Sequence, residues 1–104
     1  MLQVIKNRLG FRAKTNYSLL VKEGAVILDV RNNDEFSEGH IINALNIPVR
    51  EIKRDHLSRL DHNKPIICCC ASGVRSAAAK TILESKGYRS VYDGGKWMEL
   101  IYKL

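Results

Sequence analysis

One stretch constrains the fold of this chain more than any other: Pro65–Arg75, which runs Pro-Ile-Ile-Cys-Cys-Cys-Ala-Ser-Gly-Val-Arg. A short apolar run behind a proline reads as a strand buried on both faces. Small residues with one glycine follow, and then an alanine-rich segment with helical spacing. Val74, Ala78 and Ile82 fall at i, i+4 and i+8, with Ala77, Ala79 and Leu83 beside them. A strand that turns straight into a helix leaves its last residue, Cys70, facing unpaired backbone N–H groups. Those groups and the helix dipole favour an anion there. A cysteine so placed ionises more easily than a free thiol, and the thiolate is the nucleophile. Cys70 is the candidate working residue.

A length of 104 residues suits one domain, large enough for a core and too small for two. Its 45% hydrophobic and 27% charged residues are those of an ordinary globular protein. No apolar stretch approaches the roughly 20 residues that cross a bilayer. Apolar residues in Met1–Gly10 are interrupted by Lys6, Asn7 and Arg8, without a signal-peptide pattern. The three cysteines are contiguous and make no spaced disulfide framework, so a reducing cytoplasm is the expected compartment. The formal charge is +6, and its one local block is Lys6, Arg8, Arg12 and Lys14, which has no acid among it. Without interleaved aromatics this is a solvated basic segment rather than a nucleic-acid or membrane face. Residues 1–9 are therefore read as a basic N-terminal segment, and 10–104 as a single domain. A positive field also raises the encounter rate with small anions.

Strands and helices alternate along the chain. Gly10–Lys14 reads as a short edge strand. Asn16 caps a helix bearing Tyr17, Leu20 and Val21 on one face, and Gly24 stops it. Ala25–Asp29 is an apolar run ending in a carboxylate, hence a buried strand. Asn32–Glu38 reads as a short helix closed by Gly39, and Ala44–Ile47 as a strand ended by Pro48. Glu51–Leu60 is amphipathic, with Ile52, Leu57 and Leu60 inward and Lys53, Arg54 and Arg59 outward. Asp61–Lys64 is a turn. The strand Pro65–Cys70 and a helix to about Lys86 follow, with Gly87 as its cap. Arg89–Tyr92 reads as a further strand, Asp93–Gly95 as a turn, and Lys96–Leu104 as a terminal helix with Trp97, Leu100 and Ile101 on its apolar face. Such alternation builds an α/β parallel sheet with helices on both faces, whose ligand crevice lies at the carboxyl ends of the strands. Asp29 and Cys70 both sit at such ends.

The residues that carry a family resemblance are Leu-Asp-Val-Arg at 28–31, Glu35-Phe36, Gly39-His40-Ile41, and Ala44 through Ile47-Pro48. They continue with Cys70-Ala-Ser-Gly-Val-Arg75-Ser76 and Tyr92-Asp-Gly-Gly95 with Trp97. In that order the chain resembles the single-domain rhodaneses, the rhodanese-like sulfurtransferases, over roughly residues 16–100. The resemblance implies a three-layer sandwich in which a five-stranded parallel sheet lies between helices. It also implies a persulfide on the loop cysteine. The sulfur would come from a small anionic donor such as thiosulfate or a persulfide, and pass to a thiol, to cyanide or to a sulfur-acceptor protein. No cofactor or metal is implied.

The residues support that chemistry by themselves. Sulfur transfer needs a thiolate to attack a sulfane sulfur and a site that stabilises the anionic persulfide left behind. The N–H groups from Ala71 to Ser76, turned inward by a tight loop, suit both tasks. Ala71, Ser72 and Gly73 are small enough to bring backbone close to the sulfur, and Val74 follows them in the loop. Arg75 suits an anionic donor or a lowered thiol pKa, and equally a pairing with a framework carboxylate. Ser72 can offer a hydroxyl or only its small size. Asp29 and Arg31 are read as structural support of the site, since a buried acid needs a charged or N–H partner. Glu35 is a candidate partner for Arg31. His40 is read as a structural or surface histidine, and His56 and His62 as exposed.

Cys68 shares the side of Cys70 while Cys69 faces the other helix layer, because successive strand residues alternate. Contiguous cysteines cannot converge on one zinc ion, and both neighbours are read as inert core residues rather than resolving thiols. A cysteine phosphatase of related fold places five residues between Cys and Arg. Here four intervene, Ala71 to Val74, so the phosphatase arginine position falls on Ser76. A non-catalytic binding module is the other alternative, and the retained cysteine and small-residue loop weigh against it. A cysteine protease is weaker still, since no histidine is placed by pattern.

Overall fold

A computed structural model of the chain describes residues 14–104. Four parallel strands form its sheet in the order β2-β1-β3-β4. They are β1 (Val26–Asp29), β2 (Leu45–Asn46), β3 (Ile66–Cys70) and β4 (Val91–Lys96). Between and around them run α1 (Tyr17–Lys22), α2 (Asn33–Glu38), α3 (Val49–Lys53), α4 (Val74–Ser85) and α5 (Trp97–Leu100), with a final 3-10 turn at Ile101–Lys103. Among the described residues four strands stand where five were expected for the chain. The missing one, Gly10–Lys14, falls outside the described residues except for Lys14, which is in no strand.

Burial on both faces explains why β1 and β3 read as unbroken apolar runs. Leu28, Val30, Ile66, Cys68 and Cys70 face a cluster completed by Ile52 of α3, Ala79 and Leu83 of α4, and Tyr88. Ile27, Ile67 and Cys69 face the opposite cluster with Ile41 and Leu100, against which Tyr17, Leu20 and Val21 of α1 and Trp97 pack. The three layers follow from that alternation. Asn16 caps α1 by accepting the Leu19 N–H at 3.0 Å, and the main chain turns out of the helix at Gly24, at φ +104°.

Four elements differ from the sequence reading. The helix expected over Glu51–Leu60 instead spans Val49–Lys53. Pro48 starts that helix with its ring-fixed φ of −57°, and Asp55 ends the run in the left-handed region at φ +62°. Ile52 and Leu60 are nevertheless buried, so the apolar spacing holds while the helix does not. In α4 the buried face is Ser76, Ala79 and Leu83; Val74, 74% exposed, lies with the exposed Ala78 on the stripe that faces away from the core. The C-terminal helix is one turn long and continues as the 3-10 segment, with Leu100 buried and Ile101 exposed.

The fourth difference positions the site. Asp93–Gly95 is no turn: β4 runs through it with a bulge, pairing Cys68 with Asp93 and then Cys69 with Gly95. Gly94 is the extra residue, pressed so closely on β3 that a Cβ would lie 2.9 Å from the Cys68 carbonyl oxygen and 2.9 Å from Ile67 Cγ2. A doublet that resembles turn chemistry is here a bulge, one of the devices by which a strand re-aims a side chain. Gly94→Ala is therefore expected to lower stability by about 1–3 kcal/mol through overpacking. Urea unfolding should show a lower midpoint with an unchanged slope.

Candidate active site

The carboxyl ends of β1 and β3 meet beneath the amino end of α4. Gly73 adopts φ +96°, which an L side chain rarely tolerates, and that residue reverses the chain from strand to helix. The reversal folds the loop back over Cys70. The Gly73 N–H donates to Cys70 Sγ at 3.0 Å and the Ser76 N–H at 3.3 Å. Ala71 and Ser72 are exposed at the crest of the loop. Arg75 and Ser76 belong to the first turn of α4.

Burial, the largest influence on the Cys70 thiol, opposes its ionisation. The Ser76 hydroxyl and the N–H groups of Ser76, Gly73 and Ser72 together outweigh it and hold the thiol below its ordinary value. The neighbours behave in the opposite sense. Burial, with Asp93 adding to it, pushes the Cys68 thiol up to about 12, and burial with Asp29 raises Cys69 as well. Three successive cysteines thus differ in chemistry because only one faces converging amides. Cys70 itself is buried, at 0% exposure, beneath the exposed Ala71 and Ser72.

Two ion pairs flank the loop. Arg31 lies along Asp29, with Nε 2.9 Å from Oδ1 and Nη2 2.7 Å from Oδ2, and the Arg31 N–H also donates to Oδ1 at 3.0 Å. The same Nη2 reaches the Gly39 carbonyl at 2.7 Å, and the guanidinium lies 4.6 Å from the Trp97 ring centroid. Both members are buried, at 0% and 4% exposure, and each finds its counter-charge in the other, as a buried charge requires. The pair ties the end of β1 to α2 and α5; it sits beside Cys69, whose carbonyl accepts the Val30 N–H at 2.9 Å. Asn46, which the sequence reading passed over, clamps the same corner by donating to the Asp29 and Arg31 carbonyls, each at 2.9 Å.

The second pair corrects an expectation. Glu35 binds Arg75, not Arg31, in a two-point contact of 2.6 and 3.0 Å. Arg75 thus takes the framework alternative rather than standing free to hold a donor. Arg75 holds the Glu35 carboxyl down to about 2, helped by the Asn32 N–H. Sequence could not choose between Arg31 and Arg75 as partners, because the three-dimensional approach of α2 to α4 decides it. His40 stacks on Phe36 at 3.8 Å and binds its carbonyl, remaining exposed. His56 and His62 are exposed, the first beside Glu51 and the second stacked on Tyr88. Asp93, known from sequence only as part of a glycine-rich doublet, accepts the Ser76 hydroxyl at 2.7 Å. No helix among the described residues is long and apolar enough to cross a membrane.

A family model described as a Rhodanese-like domain matches residues 13–96. The thiosulfate sulfurtransferase GlpE of Coxiella burnetii is 32% identical over 76 residues, covering 73% of this chain and 70% of that protein. Among solved structures, a rhodanese with anions from E. coli superposes with a TM-score of 0.67 at 30% identity, covering 73% of this chain and 91% of that one. A human single-domain sulfurtransferase gives a TM-score of 0.64 at 29% identity, covering 80% and 88%.

Two outcomes are expected from this geometry. A small alkylating reagent should modify Cys70 first, with a rate that rises at a pH below the ordinary thiol value of about 8.5. Peptide mapping that finds Cys68 modified as fast would refute the amide cradle. Because Glu35 ionises far below its unfolded value of about 4.3, its pairing stabilises the fold above that value and fades as pH falls toward about 2. Both side chains are about a third exposed, so Glu35→Gln should cost only about 0.5 kcal/mol at pH 7 and nothing near pH 2, by denaturant titration at each pH.

Proposed function

The chain belongs to the rhodanese-like domain family, and from that premise we propose that it is a sulfurtransferase working through a persulfide on Cys70. The observation that carries the reading is the convergence of the Gly73 and Ser76 N–H groups on one sulfur atom. In the first half-reaction the Cys70 thiolate attacks the sulfane sulfur of a small anionic donor such as thiosulfate. An Sγ–S bond forms, the donor's S–S bond breaks, and sulfite leaves with the electron pair. In the second, a thiolate, a cyanide ion or the thiol of an acceptor protein attacks the outer sulfur, and Cys70 departs as thiolate. Both half-reactions place negative charge where N–H groups are already oriented, so little reorganisation accompanies the charge.

Substrate contacts fall to the loop of Ala71, Ser72, Gly73, Val74, Arg75 and Ser76. Main-chain N–H groups carry most of that role, because the Arg75 charge is balanced by Glu35. A donor that displaces Glu35 would gain the guanidinium; one that does not meets only amide dipoles within the loop. Asp29 and Arg31 act at a distance, by holding the sheet edge on which β3 ends. Oxyanion chemistry of the phosphatase kind is disfavoured, since only four residues separate Cys70 from an arginine that is already engaged.

Incubation with thiosulfate should add one sulfur atom to the intact mass, on Cys70, and subsequent cyanide should release it as thiocyanate. Cys70→Ser should lose both the adduct and the product. A wild-type mass that stays unchanged while a known rhodanese is loaded under the same conditions would overturn the enzymatic reading and leave a binding module.

A further inference from the structure

The strand ends and the helix that frame the Cys70 loop carry four cations, and three of them are already matched to an acid. Arg31 holds Asp29 at 2.7 Å, Arg75 holds Glu35 at 2.6 Å, and Lys80 on α4 holds Glu84 at 3.6 Å. The fourth is Lys96, the last residue of β4. It is exposed, and among the described residues its ammonium meets no carboxylate and donates no hydrogen bond.

The sheet fixes where Lys96 stands. It is the register partner of Cys70, as Asp93 is of Cys68. Paired residues of neighbouring parallel strands present their side chains to the same face, about 4.8 Å apart across the ladder. Asp93 identifies that face, since its carboxylate reaches Ser76 of α4 at 2.7 Å. The bulge at Gly94 absorbs one residue, so Lys96 returns to the face that Asp93 and Cys70 share. The loop also meets β4 here. A Cβ on Gly73, whose N–H donates to Cys70 Sγ at 3.0 Å, would stand 3.9 Å from the Gly95 Cα. An ammonium on a flexible four-carbon stem rooted one residue further reaches over the mouth of the loop.

We propose that Lys96 is a specificity-determining residue that draws donors with an anionic tail to Cys70, meeting the tail and not the sulfur. This rests on Cys70 as the reacting group of a sulfur transfer. A thiolate attacks a sulfane sulfur in line with the bond that breaks, so the donor's tail lies on the side away from Sγ, toward the mouth. With thiosulfate that tail is a sulfonate, which leaves as sulfite with the electron pair of the broken S–S bond. Arg31 or Arg75 would meet it only by giving up an acid, the first of them in the interior. Lys96 gives up only solvent. It forms no covalent bond and transfers no proton; its charge raises the encounter rate and holds the tail.

The test compares alkylation of Cys70 by iodoacetate, an anion, with alkylation by iodoacetamide, a neutral reagent of nearly the same shape, at low ionic strength. The ratio of the two rate constants cancels the ionisation of the thiol and reads the charge that the incoming tail meets. Lys96→Gln should lower that ratio about threefold, as expected for one charge lost at several ångströms in a solvated mouth. Lys96→Arg should retain it. Lys80→Gln, which removes a cation already matched to Glu84, should retain it as well. An unchanged ratio in Lys96→Gln would overturn the proposal. So would an equal fall in Lys80→Gln, which would mean that only net charge is being read. In the transfer assay Lys96→Gln should lower kcat/KM for thiosulfate at least about threefold, and an unchanged value would also overturn the proposal. Alkylation needs no sulfur donor: a wild-type protein that thiosulfate cannot load refutes the sulfur-transfer reading, whereas an unchanged alkylation ratio refutes the role of Lys96 alone.

Discussion

Two main-chain N–H groups pointing at one sulfur atom set the terms for everything around them. The Gly73 and Ser76 amides reach Cys70 because the chain leaves a strand buried on both faces and enters a helix within three residues. A side-chain cation could supply the same attraction, but it would bring its own desolvation cost and its own freedom to move. Amides at the head of a helix are held by the fold itself, and their dipoles need no counter-ion. The cost appears as the backbone conformation at Gly73, at φ +96°, where a larger residue would be strained.

The rest of the site reads as support for that convergence. Asp29 and Arg31 satisfy each other in the interior and fasten β1 to Gly39 and Trp97, so the strand end beside β3 cannot fray. Asn46 closes the same corner from β2. Glu35 and Arg75 join α2 to the first turn of α4 from outside, a contact that solvent weakens. The Gly94 bulge brings a carboxylate to the hydroxyl of Ser76 from the far side. Three strands and one helix therefore each place a polar contact at this end of the sheet, which is where a parallel sheet holds its ligand crevice.

Legibility in the sequence divides along physical lines. Ile66–Cys70 was readable as a doubly buried strand because no residue in it is polar, and the shift to small residues marked the loop. Cys70 stood out for the same reason. Helix ends were less readable: Glu51–Leu60 carries a sound apolar spacing, yet Asp55 takes a left-handed conformation that the pattern does not announce. Asp93-Gly94-Gly95 has turn composition and forms a bulged strand, because Gly94 is needed for close approach to β3 and not for a reversal. Val74 and Ala78 share a helical stripe that faces away from the core, since the pattern in an alanine-rich helix is too even to say which stripe is buried.

By itself the sequence determined the alternation of strands and helices, the buried strand with its cysteine, and the four-residue spacing between Cys70 and Arg75. These are local properties, set by hydrophobic spacing and by which residues tolerate a tight reversal. Tertiary structure alone decided which carboxylate Arg75 meets and that Asp93 reaches Ser76. Those outcomes depend on how residues distant in the chain are brought within a few ångströms. Hydrogen bonds and charge pairs act only at that range, and no spacing along the chain encodes it.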